Sequence, residues 1–596
     1  MRIRVLTFVL AIGVFSSQFI AAATNSDKVA DQFVPAPYES QQIGGVLGDR
    51  MEANLRGRLL HLDEPAVLKG FQQRPGEQAW CGEHAGKFLD AAANTWAYTR
   101  DESLKALMDR VARGLIATQL SDGYLGTYTN DQRWTSWDVW VHKYDLLGLL
   151  AYYRATGYTP ALESCRRIGD LLCHTFGTGT GKRDIIESGT HVGMAATSVL
   201  EPMVKLYEAT GDPKYLEFCN YLVRSWDQPN GPKIIALLQS TGSVYRTANA
   251  KAYEMMSNLV GLAELYRVTG NPSYLRTAQI AWQDITSRRL FVTGTTSSFE
   301  HFADDRVLPG EESSNVGEGC ATVTWLQLNW ELLRLTGAVQ YGEELERTVY
   351  NALLGAQDPS SGNICYFTPL NGKKSPTPGI NCCVSSEPRG ISMIPQIAWG
   401  SKAGGVAVLL YVPGHVKLAT SAGDVTIELK TNYPAEGTAT LTVVPVQTSH
   451  FPLYLRVPKW TTRYTAAVGG NRFDGIPGEF LTIERQWSPG DQVNIEMELA
   501  TRVIAGGPSY PYSVAIARGP QILALEQEVN PGVLDLQAAG PRSEDVKLRI
   551  TESALPPHWC GHQAYDVDGQ VAGNARPLTL VPFADAHTYR VWLLKP

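Results

Sequence analysis

No cluster of lysine and arginine occurs anywhere in the 596 residues, and the formal net charge is only −7. That argues against the basic face with which nucleic-acid-binding proteins hold a phosphate backbone. Beyond the N-terminal segment no stretch is long and apolar enough to span a bilayer, which takes about 20 residues. The chain also lacks the CxxC…CxxC spacing of zinc-ribbon sites. Cysteine is scarce, and its count of nine is odd, so at least one thiol has no partner within the chain.

What is present begins with "MRIRVLTFVLAIGVFSSQFIAAATNS". Two arginines, an apolar run from Val5 to Phe15 and small residues at Ala21, Ala22 and Ala23 form a signal-peptide layout. Cleavage after Ala23 would leave a mature protein that is soluble and exported, to a periplasm or the extracellular space. A chain of this length exceeds what one core organises, so two or three domains are expected. Fourteen Trp and 26 Tyr suit a carbohydrate site, where aromatic rings pack on sugar faces, but they fill cores equally well.

A repeat organises the N-terminal two thirds. "AYYRATG", "KLYEATGD", "ELYRVTGN" and "ELLRLTG" place glycines at Gly157, Gly211, Gly270 and Gly337. Each closes an amphipathic helix at the position where a left-handed backbone is wanted, and a second periodic segment follows. "AANTWAYTRDESLKALMDRVARGL" is a degenerate earlier copy. Helical hairpins build either an open solenoid or a closed ring. About six units with long, irregular loops, above all from Thr293 to Gly319, favour a closed (α/α)6 barrel.

After about Gly404 the pattern changes to short runs rich in Val, Ile, Thr and Tyr, separated by Gly, Pro, Asn or Asp. They read as antiparallel strands of a β-sandwich. The expected chain is therefore α+β and multidomain. Residues 1–23 form the signal peptide, and 24–403 the (α/α)6 barrel with a short β segment near "VLGDRMEANLRGRLL" (46–60). Residues 404–596 form a β-sandwich region of one or two subdomains.

The chemistry gathers in two places. "GINCCVSSEPRG" sets Cys382 beside Cys383, and "GEGCATVTW" sets Glu318 two residues before Cys320. A disulfide between adjacent cysteines closes a strained eight-membered ring. Disulfides to distant cysteines, buried free thiols, and a zinc site built from thiolates and a carboxylate all remain open from spacing alone. Cys165, Cys173 and Cys219 lie in helical patterns and read as small buried hydrophobes.

"GEGC", "NCC", "YFTPL" (366–370), "WVHKYDLLGLLAYYRATG", "DGYLGTY" and "FPLYLRVPKW" together resemble glycoside hydrolase family 127, the β-L-arabinofuranosidases. The resemblance runs in order from about residue 35 to at least 500. It implies a zinc-dependent retaining glycosidase on an (α/α)6 barrel with β-sandwich appendages, acting on an oligosaccharide or polysaccharide. Glu318, Cys320, Cys382 and Cys383 match the zinc ligands, and Cys382 the nucleophile. Glu300 in "SSFEHF" matches the acid/base, in a loop where Asp304, Asp305, Glu311 and Glu312 compete for the alignment. His142 matches a sugar-contacting histidine, while Tyr366 and Trp140 are candidate walls of the sugar pocket.

Four departures surround that pocket. Thr197 and Lys251 stand near positions where the family has histidines, and "VSSEPRG" replaces the commoner "PPN" after the cysteine pair. Thr368 also replaces the usual asparagine of the "YFTPL" motif. Lys251 can face an acidic sugar or pair with a carboxylate such as Glu254. The expected activity is exo-removal of a terminal pentofuranosyl residue, L-arabinofuranose or a related, acidic sugar. The competing readings are a polysaccharide lyase on the same barrel, which has no use for adjacent cysteines, and a glycan-binding protein without turnover.

Overall fold

A computed structural model describes residues 28–552, 555 and 561–596. The expected signal peptide at 1–23 and the ninth cysteine, Cys560, lie outside the described residues.

Helices dominate to residue 398 and strands follow. The repeat appears as antiparallel pairs, among them Asp138–Thr156 with Thr159–Thr175 and Ala252–Thr269 with Pro272–Asp284. Gly157, Gly211, Gly270 and Gly337 end the first helix of each pair with φ of 72°, 68°, 70° and 63°. In the degenerate copy Arg100 takes that left-handed position, at φ 56°. Proline in the first turn then starts the next helix at Pro213 and Pro272, where Asp212 and Asn271 cap the free N–H groups.

The two members of a pair differ in burial. Nearly every residue of Ala252–Thr269 is buried, whereas Pro272–Asp284 buries one stripe around Ala278, Ala281 and Trp282. A helix apolar all round is an inner helix, and an amphipathic one covers it. Six inner helices pack in sequence: Glu83–Thr99, Asp138–Thr156, Leu200–Thr210, Ala252–Thr269, Gly319–Thr336 and Cys382–Ser392. The last packs back on the first.

The expected β segment at 46–60 is instead helical: Gly45–Ala53 is an α-helix that runs on through Asn54–Arg58. Leu47, Met51 and Leu55 recur every four residues and are all buried, so they form one helical face, not an alternating strand. The strands lie just upstream, at Val34–Pro35 and Gln41–Ile43. Val34–Pro35 extends a five-stranded sheet through Trp399–Lys402, and Gln41–Ile43 edges a seven-stranded sheet through Gly414–Thr420. The N-terminal segment thus stitches the helical part to the β part.

A third sheet, beyond Thr501, has cores of its own. One of these cores takes in Phe291, Val316 and Leu370 from the loops of the helical part. Asn371–Lys373 pairs with Thr588–Arg590 of that sheet, and the Val591 N–H donates to Leu370 O at 2.9 Å. The C-terminal sheet therefore braces the loop that carries Tyr366. No helix among the described residues is long and apolar enough to cross a membrane.

Candidate active site

Two helix N-termini converge. Glu318 immediately precedes the Gly319–Thr336 helix, whose first turn holds Cys320. Cys382 and Cys383 open the Cys382–Ser392 helix, capped by Asn381, whose Oδ1 accepts the Val384 N–H at 3.0 Å. Helix N-termini favour anions, which works against the burial that pushes the Cys320 and Cys383 thiols above the ordinary range. The approach demands glycine at position 319, where a Cβ would lie 2.7 Å from Glu387 Oε1 and 3.2 Å from Cys383 Cβ.

One donor atom from each of Glu318, Cys320, Cys382 and Cys383 lies within 4.8 Å of all the others. Three are buried and Cys382 is half-buried. Glu318 Oε2 is buried with no hydrogen-bond partner, a state that costs free energy unless a ligand satisfies it. Three sulfurs and one carboxylate oxygen form a donor set that zinc takes in tetrahedral sites, so the residues fit that ion. The eight cysteines among the described residues are all unpaired, which removes the disulfide readings for them.

Tyr366 joins the thiols to the loop of Glu300. Cys382 Sγ donates to the Tyr366 hydroxyl at 3.0 Å, and that hydroxyl donates to Glu300 Oε1 at 2.9 Å. Glu300 Oε2 accepts from the Lys251 ammonium. Burial pushes the Glu300 carboxyl up, but Lys251 and Tyr366 outweigh it and hold the group below the ordinary carboxylate range. Burial likewise opposes the Lys251 charge, and the carboxylates of Glu254, Glu318 and Glu300 outweigh it. Lys251 is hydrogen-bonded to Glu300, with Glu254 a neighbour that burial pushes up to about 7.

Beneath the thiols, Trp140, Tyr144 and Leu147 from the Asp138–Thr156 helix pack with Tyr253, Cys320 and Cys383. His142, expected to contact sugar, is fully buried on the same helix. At 3.6 residues per turn it points about 200° away from Trp140. Its Nδ1 lies 2.8 Å from Asp138 O, and its ring packs on Tyr124 and Trp134. Thr197 is also buried away, bonded to Asn258.

Sequence reasoning missed several neighbours. The Lys87 ammonium is buried between Glu83 Oε1 at 2.8 Å, Cys382 O at 3.2 Å and Cys320 Sγ at 3.9 Å. Its signal was a Glu83/Lys87 pair four residues apart in an Ala-rich helix. Cys382 is pulled below the ordinary thiol range by hydrogen bonds from the Cys320 and Cys383 thiols, with the Lys87 charge helping. Glu387 is buried with both oxygens unpartnered. His191, in a loop without periodicity, lies with its Nε2 3.9 Å from Glu254 Oε1.

Backbone strain collects at the same mouth. Ser136, His191, Val192, Ala250, Phe299 and Glu300 all have positive φ, between 47° and 64°. Non-glycine residues in this region cost on the order of 1–3 kcal/mol and cluster at functional sites.

The sequence pattern described as the β-L-arabinofuranosidase GH127 catalytic domain matches residues 42–396, and that of the GH127 middle domain matches residues 405–499. The chain belongs to glycoside hydrolase family 127. This GH127 glycoside hydrolase is 27% identical over 510 residues to the non-reducing end β-L-arabinofuranosidase of Bifidobacterium longum subsp. longum, covering 75% of this chain and 76% of that one. Its fold is that of the GH127 β-L-arabinofuranosidase Ara127N-Se from Geobacillus stearothermophilus T6: the TM-score is 0.79 at 22% identity, covering 93% of this chain and 100% of the other. A second GH127 β-arabinofuranosidase structure aligns with TM-score 0.81 at 22% identity, over 95% and 98% of the two chains.

Proposed function

We propose that this GH127 enzyme is an exported, zinc-dependent, retaining exo-glycosidase that releases a terminal β-L-arabinofuranosyl residue from plant-type glycans. The observation that carries the mechanism is the Cys382–Tyr366–Glu300 chain of hydrogen bonds. Two such bonds through one oxygen keep Cys382 Sγ and Glu300 Oε1 closer than the ~6.5–9.5 Å that an inverting enzyme leaves for its water. The same chain of bonds argues against a non-catalytic binding protein, in which the thiols and Glu300 have no reason to meet. A lyase gives the adjacent cysteines no role.

Glu318, Cys320, Cys382 and Cys383 would hold the zinc, which when bound favours the ionised form of its thiol ligands. Cys382, the half-buried member of the four, is the nucleophile, and Cys383, Cys320 and Glu318 act as holding ligands. Cys382 sulfur attacks the anomeric carbon as the Glu300 carboxyl gives its proton to the departing glycosidic oxygen. The Glu300 carboxylate then takes a proton from water, whose oxygen displaces the sulfur. Two inversions give net retention. Tyr366 and Lys251 orient Glu300, and Trp140 lies beneath the sugar pocket.

Because the Lys251 ammonium is committed to Glu300, a neutral pentofuranose fits better than an acidic one. The cyclic packing of six inner helices supports the (α/α)6 barrel as the architecture. Export rests on the layout of residues 1–23, and its end point is periplasmic or extracellular. The test is dialysis against a strong chelator followed by assay on nitrophenyl β-L-arabinofuranoside. Activity should vanish and return with zinc, and activity that survives complete metal removal contradicts the mechanism.

A further inference from the structure

An exo-enzyme encloses the terminal sugar and must let the rest of the glycan leave past its acid/base group. The wall on that side is a row of rings. Trp140, buried against the thiol cluster, contacts Trp137 with ring centroids 5.4 Å apart. Trp137 is half-buried and contacts both His191, at 5.5 Å, and Trp80, at 6.3 Å. Trp80 is 38% exposed. Exposure therefore rises stepwise along one continuous path from the thiols to the surface.

The path also reaches the acid/base side. Asn249 Nδ2 lies 3.1 Å from His191 Nδ1, the Lys251 backbone N–H donates to Asn249 Oδ1 at 3.4 Å, and the Lys251 ammonium holds Glu300. Val192, beside His191, is 38% exposed, and Phe299, beside Glu300, is 58% exposed. Single exposed apolar residues are normal on any protein. These differ because His191, Val192 and Phe299 are held at φ of 55°, 58° and 47°. That backbone is costly for ordinary side chains and most so for a β-branched valine, so the rim is imposed by the surrounding structure.

We propose that Trp80, Trp137 and His191 form a binding subsite for the sugar units on the leaving-group side of the cleaved linkage. The first such unit meets Trp137 and His191, with Asn249 as a hydrogen-bonding partner. The next meets the exposed face of Trp80. Indole faces take the C–H faces of sugar rings, and a flat, partly exposed ring suits a chain that must slide out after cleavage. The proposal rests on the exo-arabinofuranosidase reading and adds a preference for long leaving groups.

The experiment compares two probes on the full chain: methyl β-L-arabinofuranoside, and a tetrasaccharide ending in β-L-arabinofuranose. The wild type should show a kcat/KM about tenfold higher on the tetrasaccharide, the scale of one good ring stack. Trp80→Ala should erase most of that advantage by raising KM for the tetrasaccharide, and Trp80→Phe should keep most of it. Equal kcat/KM on the two probes in the wild type overturns the subsite alone. So does a Trp80→Ala loss that is the same on both probes, or absent from both. A wild type that hydrolyses neither probe overturns the arabinofuranosidase reading, and the subsite with it.

Discussion

The Cys382 thiol donates a 3.0 Å hydrogen bond to the hydroxyl of Tyr366, which in turn donates to Glu300 at 2.9 Å. One phenol therefore fixes the spacing of the two groups that the mechanism needs. Tyr366→Phe keeps the ring and its packing on Phe367 but removes both bonds. Groups that orient a metal ligand or an acid typically contribute 10- to 100-fold. The expected result is a fall in kcat/KM of about that size on nitrophenyl β-L-arabinofuranoside, with an unchanged circular dichroism spectrum.

Lys251 is expected to set the pH dependence. Its ammonium favours the carboxylate form of Glu300 and so holds that group's pKa below the ordinary value. The first step of the proposed mechanism needs Glu300 protonated, so kcat/KM should fall as pH rises through this pKa. Lys251→Met removes the positive neighbour, raises the Glu300 pKa and moves the basic limb of the profile to higher pH. A limb that stays in place or moves to lower pH would separate Glu300 from that limb.

Away from the site, Arg267 anchors the N-terminal segment to the ends of the inner helices. It is buried among Glu264, Asp31 at 3.0 Å and Glu331 at 2.7 Å, and Arg334 shares Asp31 and Glu331. Removing one partner from a buried ion pair leaves uncompensated charge and costs about 3–5 kcal/mol. Arg267→Met should lower the urea midpoint accordingly, with kcat on the nitrophenyl glycoside retained below the transition.

How much of this was legible in the sequence depended on how local each signal was. The helix repeat was readable because the terminal glycines act within one turn, and Gly157, Gly211, Gly270 and Gly337 all take the left-handed position; the amphipathic period belongs to the covering helices, while Asp138–Thr156, Ala252–Thr269 and Gly319–Thr336 are buried nearly all round. The β segment at 46–60 was misread because Leu47, Met51 and Leu55 carry a period of four that a strand reading ignores. Helix phase is a finer signal than the motif match: position 140 faces the thiols, while position 142 is turned about 200° from it and packs on Tyr124 and Trp134. The thiol cluster joins residues more than 60 positions apart, so spacing left it undecided between metal, disulfide and free thiol, and only the family resemblance pointed to one of them. Lys87 and His191 were missed because a buried lysine and a loop histidine have no periodic signature.

The central claim is that Glu318, Cys320, Cys382 and Cys383 form one zinc thiolate site. Metal analysis of the purified chain tests it most directly, alongside a Cys383→Ser variant, which removes a proposed holding ligand and leaves the proposed nucleophile Cys382 in place. The account predicts about one equivalent of zinc per wild-type chain, as a four-ligand site requires, and a large loss of zinc in the variant. A folded, active wild-type chain free of metal would contradict it.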